Sequence, residues 1–387
     1  MSAGAGLVRT RRGLGVIGTL ANYQHITRNL DRSLARIEAQ PLVQRETEYY
    51  LANISKVTSI EEFVDDYRLF NYAMKAFGLQ DMAYAKAFMV KVLEEGVEDP
   101  NSFANKLTDK RYAEFARAFD FARHGAEATS FNPAQQGAIG LYTLAATSEG
   151  IPAEVQKAET TYYVQTISTV TSIDGLLAND RLLDYALRAH GLQEHAGDKA
   201  FLRKLLEGGV ENAAALGKTD EEKAEFEAFA RAYNFAEYGA EATTFTKAGT
   251  GTVGAYLRQT LEEDAGSQNE GVRLALYFER KAGGITNWYE VLGDRALGQV
   301  VRGALGLPDA FAQADIDKQV KFFESRLDIE DFKDPEKLSR FLSRFAAMWE
   351  ANNPSAGALS PTQVLFGQPP EFGISGDILL TIARMKS

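Results

Sequence analysis

Thr58-Ser59-Ile60-Glu61-Glu62-Phe63-Val64-Asp65-Asp66-Tyr67-Arg68-Leu69-Phe70-Asn71-Tyr72-Ala73-Met74-Lys75-Ala76-Phe77-Gly78-Leu79-Gln80 is the stretch on which the fold turns. Phe63, Tyr67, Phe70, Met74 and Phe77 recur at steps of four, three, four and three, which is one face of a 3.6-residue helical period. Thr58 or Ser59 can accept a bond from an otherwise orphan helical N–H, and Glu61 and Glu62 stand at capping-box spacing. Gly78 supplies a stop, because a positive φ costs glycine no Cβ strain. The same pattern returns 113 residues later, as Thr171-Ser172-Ile173, Arg181-Leu182-Leu183-Asp184-Tyr185-Ala186 and His190-Gly191-Leu192-Gln193. A looser third version closes at Leu305-Gly306-Leu307-Pro308.

Working outward, the neighbours repeat too. Glu46-Thr47 and Tyr49-Tyr50 are answered by Glu159-Thr160 and Tyr162-Tyr163. Phe121 to Thr129 is answered by Phe235 to Thr243, and both runs contain Gly-Ala-Glu-Ala-Thr. Periodicity predicts further helices over 82–92 with Tyr84, Phe88, Val92 and their neighbours apolar, and over 110–124 with Tyr112, Phe115, Phe119 and Ala122 inward. It also predicts helices over 253–261, 271–282, 285–305, 316–323 and 335–349. Sustained alternation of β-branched residues is lacking except over Tyr163 to Val170, whose matched residues in the first copy read more clearly as helix. The expected class is therefore all-α, in tandem helical-bundle repeats with two close copies and one divergent third copy. The expected division is a lead-in segment over 1–43, then repeats over 44–152, 153–251 and 252–350, and a Pro-rich tail with a short helix over 351–387. Phe131 to Ile151 reads as linker plus a short helical piece, and Lys247 to Gly251 as a flexible joint.

Composition narrows the function. A net charge of -11 disfavours a large nucleic-acid footprint, which draws on clustered Lys and Arg. With no Cys, disulfides, thiolate nucleophiles and Cys-ligated zinc are excluded. No apolar run approaches the length of a transmembrane helix. Arg9, Arg11 and Arg12 before Leu14 to Ala21 superficially resemble a signal sequence, but glycines interrupt the apolar run and a flexible start is the expectation.

Few residues offer chemistry. His25, His124, His190 and His195 have no metal-binding spacing, so neither metal nor cofactor is expected. His124 precedes Gly125 and corresponds to Tyr238 before Gly239, a place for an amphipathic ring. Glu127 and Glu241 follow those glycines, where a carboxylate can accept backbone bonds in a turn. The sharper alternative would pair one of them with a distant acid for proton transfer. Arg68 and Arg181, with Arg295 as a third candidate, suggest a half-buried bond to an acid or to helix-terminal carbonyls. Thr58, Arg68, Gly78, Gly125 and Glu127, with Thr171, Arg181, Gly191, Gly239 and Glu241, are thus read as recurring structural positions.

These strings, with Arg273 to Lys281, Ala304 to Pro308 and the tail from Gly373 to Ala383, resemble a family of bacterial proteins carrying domain of unknown function 1217. The resemblance runs from about Ala21 onward. Members are encoded among the flagellar genes of alphaproteobacteria, so the resemblance implies a part in flagellar assembly, structure or regulation, in the cytoplasm or at the flagellum. It brings no catalytic residue or cofactor. The function expected is a non-enzymatic protein-interaction or assembly protein with protein partners, flagellar components foremost. The alternative is an enzyme with a site at an inter-bundle cleft.

Overall fold

The computed structural model describes residues 18–353. The start expected to be flexible and the Pro-rich tail lie outside the described residues, but for Gly18 to Ala21 and Ala351 to Asn353. A lead-in pair, α1 (Thr19–Arg28) and α2 (Leu30–Glu38), opens the chain. The first unit follows as α3 (Pro41–Ile54), α4 (Ile60–Asp65), α5 (Tyr67–Ala76), α6 (Lys86–Glu95), α7 (Phe103–Lys106), α8 (Arg111–Phe119) and α9 (Phe121–His124). The second comprises α10 (Ala138–Ser148), α11 (Ala153–Ile167), α12 (Ile173–Ala178), α13 (Asp180–Ala189), α14 (Lys199–Ala213), α15 (Asp220–Ala232) and α16 (Phe235–Tyr238). The third comprises α17 (Thr252–Gln268), α18 (Glu270–Ala282), α19 (Trp288–Gly293), α20 (Arg295–Leu305), α21 (Ile316–Glu324) and α22 (Pro335–Asn352). The fold is all-α, and the described residues contain no strand.

The deciding stretch is two helices rather than one. Asp66 takes an extended ψ of 96° between α4 and α5, and its carboxylate caps α5 by accepting from the N–H groups of Arg68 and Leu69. The break shifts the register, so Phe63 and Phe70 are buried while Tyr67, expected inward, is 75% exposed. Asn179 breaks and caps α13 at the matched place, and Asp294 does so for α20. Each of these caps also bonds a tyrosine hydroxyl from the preceding long helix: Tyr49 to Asp66 at 2.7 Å, Tyr162 to Asn179 at 3.1 Å and Tyr277 to Asp294 at 2.5 Å. Gly78, Gly191 and Gly306 close the three helices at φ of 67°, 74° and 67°.

Two other expectations shift for the same reason, a broken helix. A 3-10 turn over Gln80–Met82 precedes α6 and leaves Tyr84 exposed. Asp120 interrupts 110–124, so Phe121 turns inward and Ala122 faces out, against Gly96.

Two apolar cores result. One joins α1 and the first unit to the third; the other holds the second unit, α10 included through Ala138, Tyr142 and Ala146, with Ala134 of the turn ahead of it. The 131–151 segment is therefore no mere linker. It starts as a π-helical turn over Pro133–Gly137 capped by Asn132, and α10 then packs along α13. Nor is 247–251 a flexible joint: it is a second π-helical turn, capped by Thr246, with Ala248 buried against the first unit. Asn132 and Gln135 donate to the carbonyls of Phe245 and Thr243 at 2.7 Å each, tying together the two points where the chain enters and leaves the second unit.

The second unit has a core of its own, so residues 132–246 produced alone should fold. A cooperative thermal transition with a helical far-UV spectrum is the expected result; a broad, non-cooperative melt would show dependence on the other units.

Candidate functional site

The one buried carboxylate among the described residues, Glu262, lies on α17, the element that joins the first and third units. This helix lies along α5 of the first unit, along α2, and along α18 of its own unit. Its register is set by aromatic stacking. Tyr256 stacks on Tyr72 at 3.8 Å between ring centroids, and Tyr72 stacks on Tyr50 at 4.3 Å. Tyr50 is fully buried, and its hydroxyl donates to the carbonyl of Ala248 at 2.6 Å. Within the second unit the arrangement recurs: Tyr142 on Tyr185 at 3.8 Å, Tyr185 on Tyr163 at 4.1 Å, and the Tyr163 hydroxyl to the carbonyl of Ala134 at 2.5 Å. Burial raises the Tyr50 and Tyr163 phenols well above their ordinary pKa, so both are neutral donors.

On the other side of α17, Glu262 is 1% exposed. It accepts from Arg280 Nε and Nη2, both at 2.7 Å, and from Arg258 Nε at 3.3 Å. Arg258 Nη2 continues to the carbonyl of Leu276 and stands 3.6 Å from Glu279, while Arg280 Nη2 reaches Gln259 Oε1 at 3.3 Å. Burial works against the Arg280 charge, yet the bonds to Glu262 outweigh it and leave the pKa above the ordinary value. Burial also raises Glu279, with Arg258 opposing. This is a structural ion network: its charges are bonded to one another and to backbone.

A cleft of about 450 Å³ opens beside it, lined by Asp109, Arg111, Glu114, Lys281, Glu290 and Asp294 among others. Arg111 donates to both oxygens of Asp109 and, at 2.5 Å, to the carbonyl of Gly78, the stop of α5. Lys281 is paired with Glu114. Among the described residues, no group of three His, Asp or Glu is placed to hold a metal ion.

The recurring positions fall elsewhere. Arg68 donates to Glu46 at 3.2 Å and lies 3.7 Å over the Tyr49 ring; Arg181 donates to Glu159 at 2.9 Å and lies 4.0 Å over Tyr162. Both bond an acid, at the surface; the bond to a helix-terminal carbonyl is made by Arg111. Arg295 is exposed, and in the third unit the cation over Tyr277 is Arg280, at 5.1 Å. Thr58 donates through N–H and hydroxyl to Glu62, whose amide donates to Ser59, and those bonds hold the Glu62 pKa low. Thr171 is exposed beside the cap Ser172, where Gly175 stands in place of the glutamate. Gly125 and Gly239 adopt φ of 53° and 51°. Glu127 and Glu241 are exposed, in different units, and their backbone carbonyls close the turns. The side chains at work in that string are Thr129 and Thr243, which donate to the carbonyls of Val57 and Val170 at 2.8 and 2.9 Å. His124 and Tyr238 stack on Phe131 and Phe245 at 3.7 and 3.8 Å.

Sequence reasoning missed Tyr142, Tyr256 and Glu262. A signal for the tyrosines existed in Gly18-Thr19-Leu20-Ala21-Asn22-Tyr23, Gly137-Ala138-Ile139-Gly140-Leu141-Tyr142 and Gly251-Thr252-Val253-Gly254-Ala255-Tyr256, which align residue for residue. For Glu262 the signal was partial: Arg258 stands four residues before it on the same helix, but Arg280, its shorter-bonded partner, comes from α18.

Residues 76–186 and 189–338 match the family described as "Protein of unknown function (DUF1217)". The chain belongs to this DUF1217 family. It is also similar to an Agrobacterium tumefaciens protein solved by X-ray crystallography, at 34% identity and a TM-score of 0.52, over 87% of this chain and 94% of that one. No curated protein matches the chain. No helix among the described residues of this DUF1217 protein is long and apolar enough to cross a membrane.

Two outcomes follow from the buried polar groups. Glu262→Ala strands two largely buried guanidinium groups, so unfolding free energy should fall by about 3–5 kcal/mol in urea titration, with little sensitivity to salt. A loss within the small range of a surface pair would assign Glu262 no such role. His190 sits against Phe229 and Tyr233, its Nε2 is buried without a partner, and burial lowers its pKa from 6.5 to about 4. The unfolded chain takes up this proton first, so the stability is complete above pH 6.5 and is lost as pH falls toward 4, by about 3 kcal/mol. His190→Phe, the residue type of the first unit's Phe77, should remove that slope in denaturation measured from pH 7 to 4.

Proposed function

We propose that this protein is a non-enzymatic interaction or assembly protein built from three copies of one helical unit. The observation that carries the reading is the use made of its polar groups: the buried and half-buried charges of α17, α18 and the adjoining cleft bond one another, helix ends and backbone carbonyls, as a scaffold requires. The threefold recurrence of the tyrosine-capped helix break supports common descent of the units. Each unit then starts at its Gly-x-x-x-x-Tyr helix, with boundaries near 131/132 and 245/246. In that frame α10 packs on α13 of its own unit, α17 packs on α5 of the first unit as well as on α18 of its own, and α1 packs on α18 and α22 of the third. The first and third copies have exchanged leading helices around the second.

The flagellar association rests on the family resemblance, and the partners it implies are flagellar components. Affinity capture with the full chain from motile cells should recover such a component, and a deletion strain should show altered swimming. Normal motility together with empty capture would overturn the association. The second reading, an enzyme at an inter-bundle cleft, draws on the 450 Å³ cleft at Arg111. A small molecule that raises Tm, with the rise abolished by Arg111→Ala, would favour it.

A further inference from the structure

The second unit carries two bare helix faces whose counterparts in the third unit cover one another. Tyr142 and Tyr256 make the same stack, so α10 and α17 can be aligned residue for residue. Leu141, Leu144, Thr147 and Ser148 on α10 then match Ala255, Arg258, Leu261 and Glu262 on α17. On α17 this stripe is covered by α18: Leu261 is 0% exposed and Glu262 is bonded to Arg280. On α10 the stripe is bare, with Leu144 72% and Leu141 42% exposed.

The covering surface has a bare counterpart as well. Tyr162 and Tyr277 make matching bonds to their caps, which aligns α11 with α18. Arg273, Leu276, Glu279 and Arg280, the α18 residues at the α17 contact, match Ala158, Thr161, Val164 and Gln165. All four are exposed on α11, Val164 at 51%. Neither bare stripe contains a charge, and 131–148 has no charged residue at all. In a chain of net charge -11, an uncharged surface is where two copies can meet without repulsion. Each copy presents both stripes, so one two-fold contact would bury each stripe twice, as an isologous interface requires.

We propose that two copies of this chain associate through their second units by the contact that α17 and α18 make within the third, with α10 covered by α11 of the second copy. The contact is the same whether α10 stays on its own bundle or is exchanged through the hinge at Gly150, which has φ of 74°. This inference stands apart from any partner outside the chain.

The test is the mass of the full-length protein in solution. Sedimentation velocity and light scattering at micromolar concentration should give twice the 42.5 kDa chain mass. Leu141→Glu with Leu144→Glu alters exposed positions only, and should halve that mass with the far-UV spectrum unchanged. Because the chain has no Cys, Leu144→Cys and Thr161→Cys in one chain offer a clean crosslink. Oxidation should join them between chains; a bond formed within a chain supports the contact only where the mass is that of a dimer, and in a monomer it would overturn it. A monomeric wild type, or a dimer that the double glutamate variant leaves intact, would overturn it.

Discussion

A buried tyrosine hydroxyl must find an acceptor or lose several hydrogen-bond equivalents of stability, and this constraint governs how the units are assembled. Tyr50 and Tyr163 are both 0% exposed, deep inside their bundles. Each finds its acceptor in a π-helical turn, the carbonyl of Ala248 for one and of Ala134 for the other. Once that bond forms, the following helix is aimed, and its tyrosine completes a stack of three rings. For the second unit the turn is local. For the first it comes from almost two hundred residues away, so two distant parts of the chain share one core.

Helix breaks are the second organising device. Asp66, Asn179 and Asp294 each end one short helix, cap the next and receive a tyrosine hydroxyl. One polar side chain thereby satisfies the orphan N–H groups of a helix start and anchors the preceding long helix across it. An uninterrupted helix could not place Phe63 and Phe70 inside and turn Tyr67 out. The break makes a bundle rather than a rod.

The treatment of charge separates the second unit from the others. Where α17 meets α18, the stripe is filled by Arg258, Glu262 and Arg280, and desolvation is offset by paired bonds in three directions. The matched stripe on α10 is Leu and Thr, open to solvent. Within one chain, charge pairing fixes the register of a contact that forms only once. An uncharged stripe is better suited to a contact with an identical, equally acidic molecule.

The helical class, the 113-residue recurrence and the glycine stops at Gly78, Gly191, Gly125 and Gly239 were legible in the sequence, because periodicity and positive φ are local properties. So was the cap near Thr58-Ser59. The exposure of Tyr67 was not legible, since a single extended residue resets a helical register and leaves no mark on composition. The segments at 131–151 and 247–251 looked like connectors because their glycines and prolines signal turns, and a π-helical turn shares that composition. Which bundle each leading helix joins, and the pairing of Glu262 with Arg280, were decided by tertiary structure alone. Both depend on which distant acceptor a buried polar group can reach, and spacing along a chain holds no record of that distance.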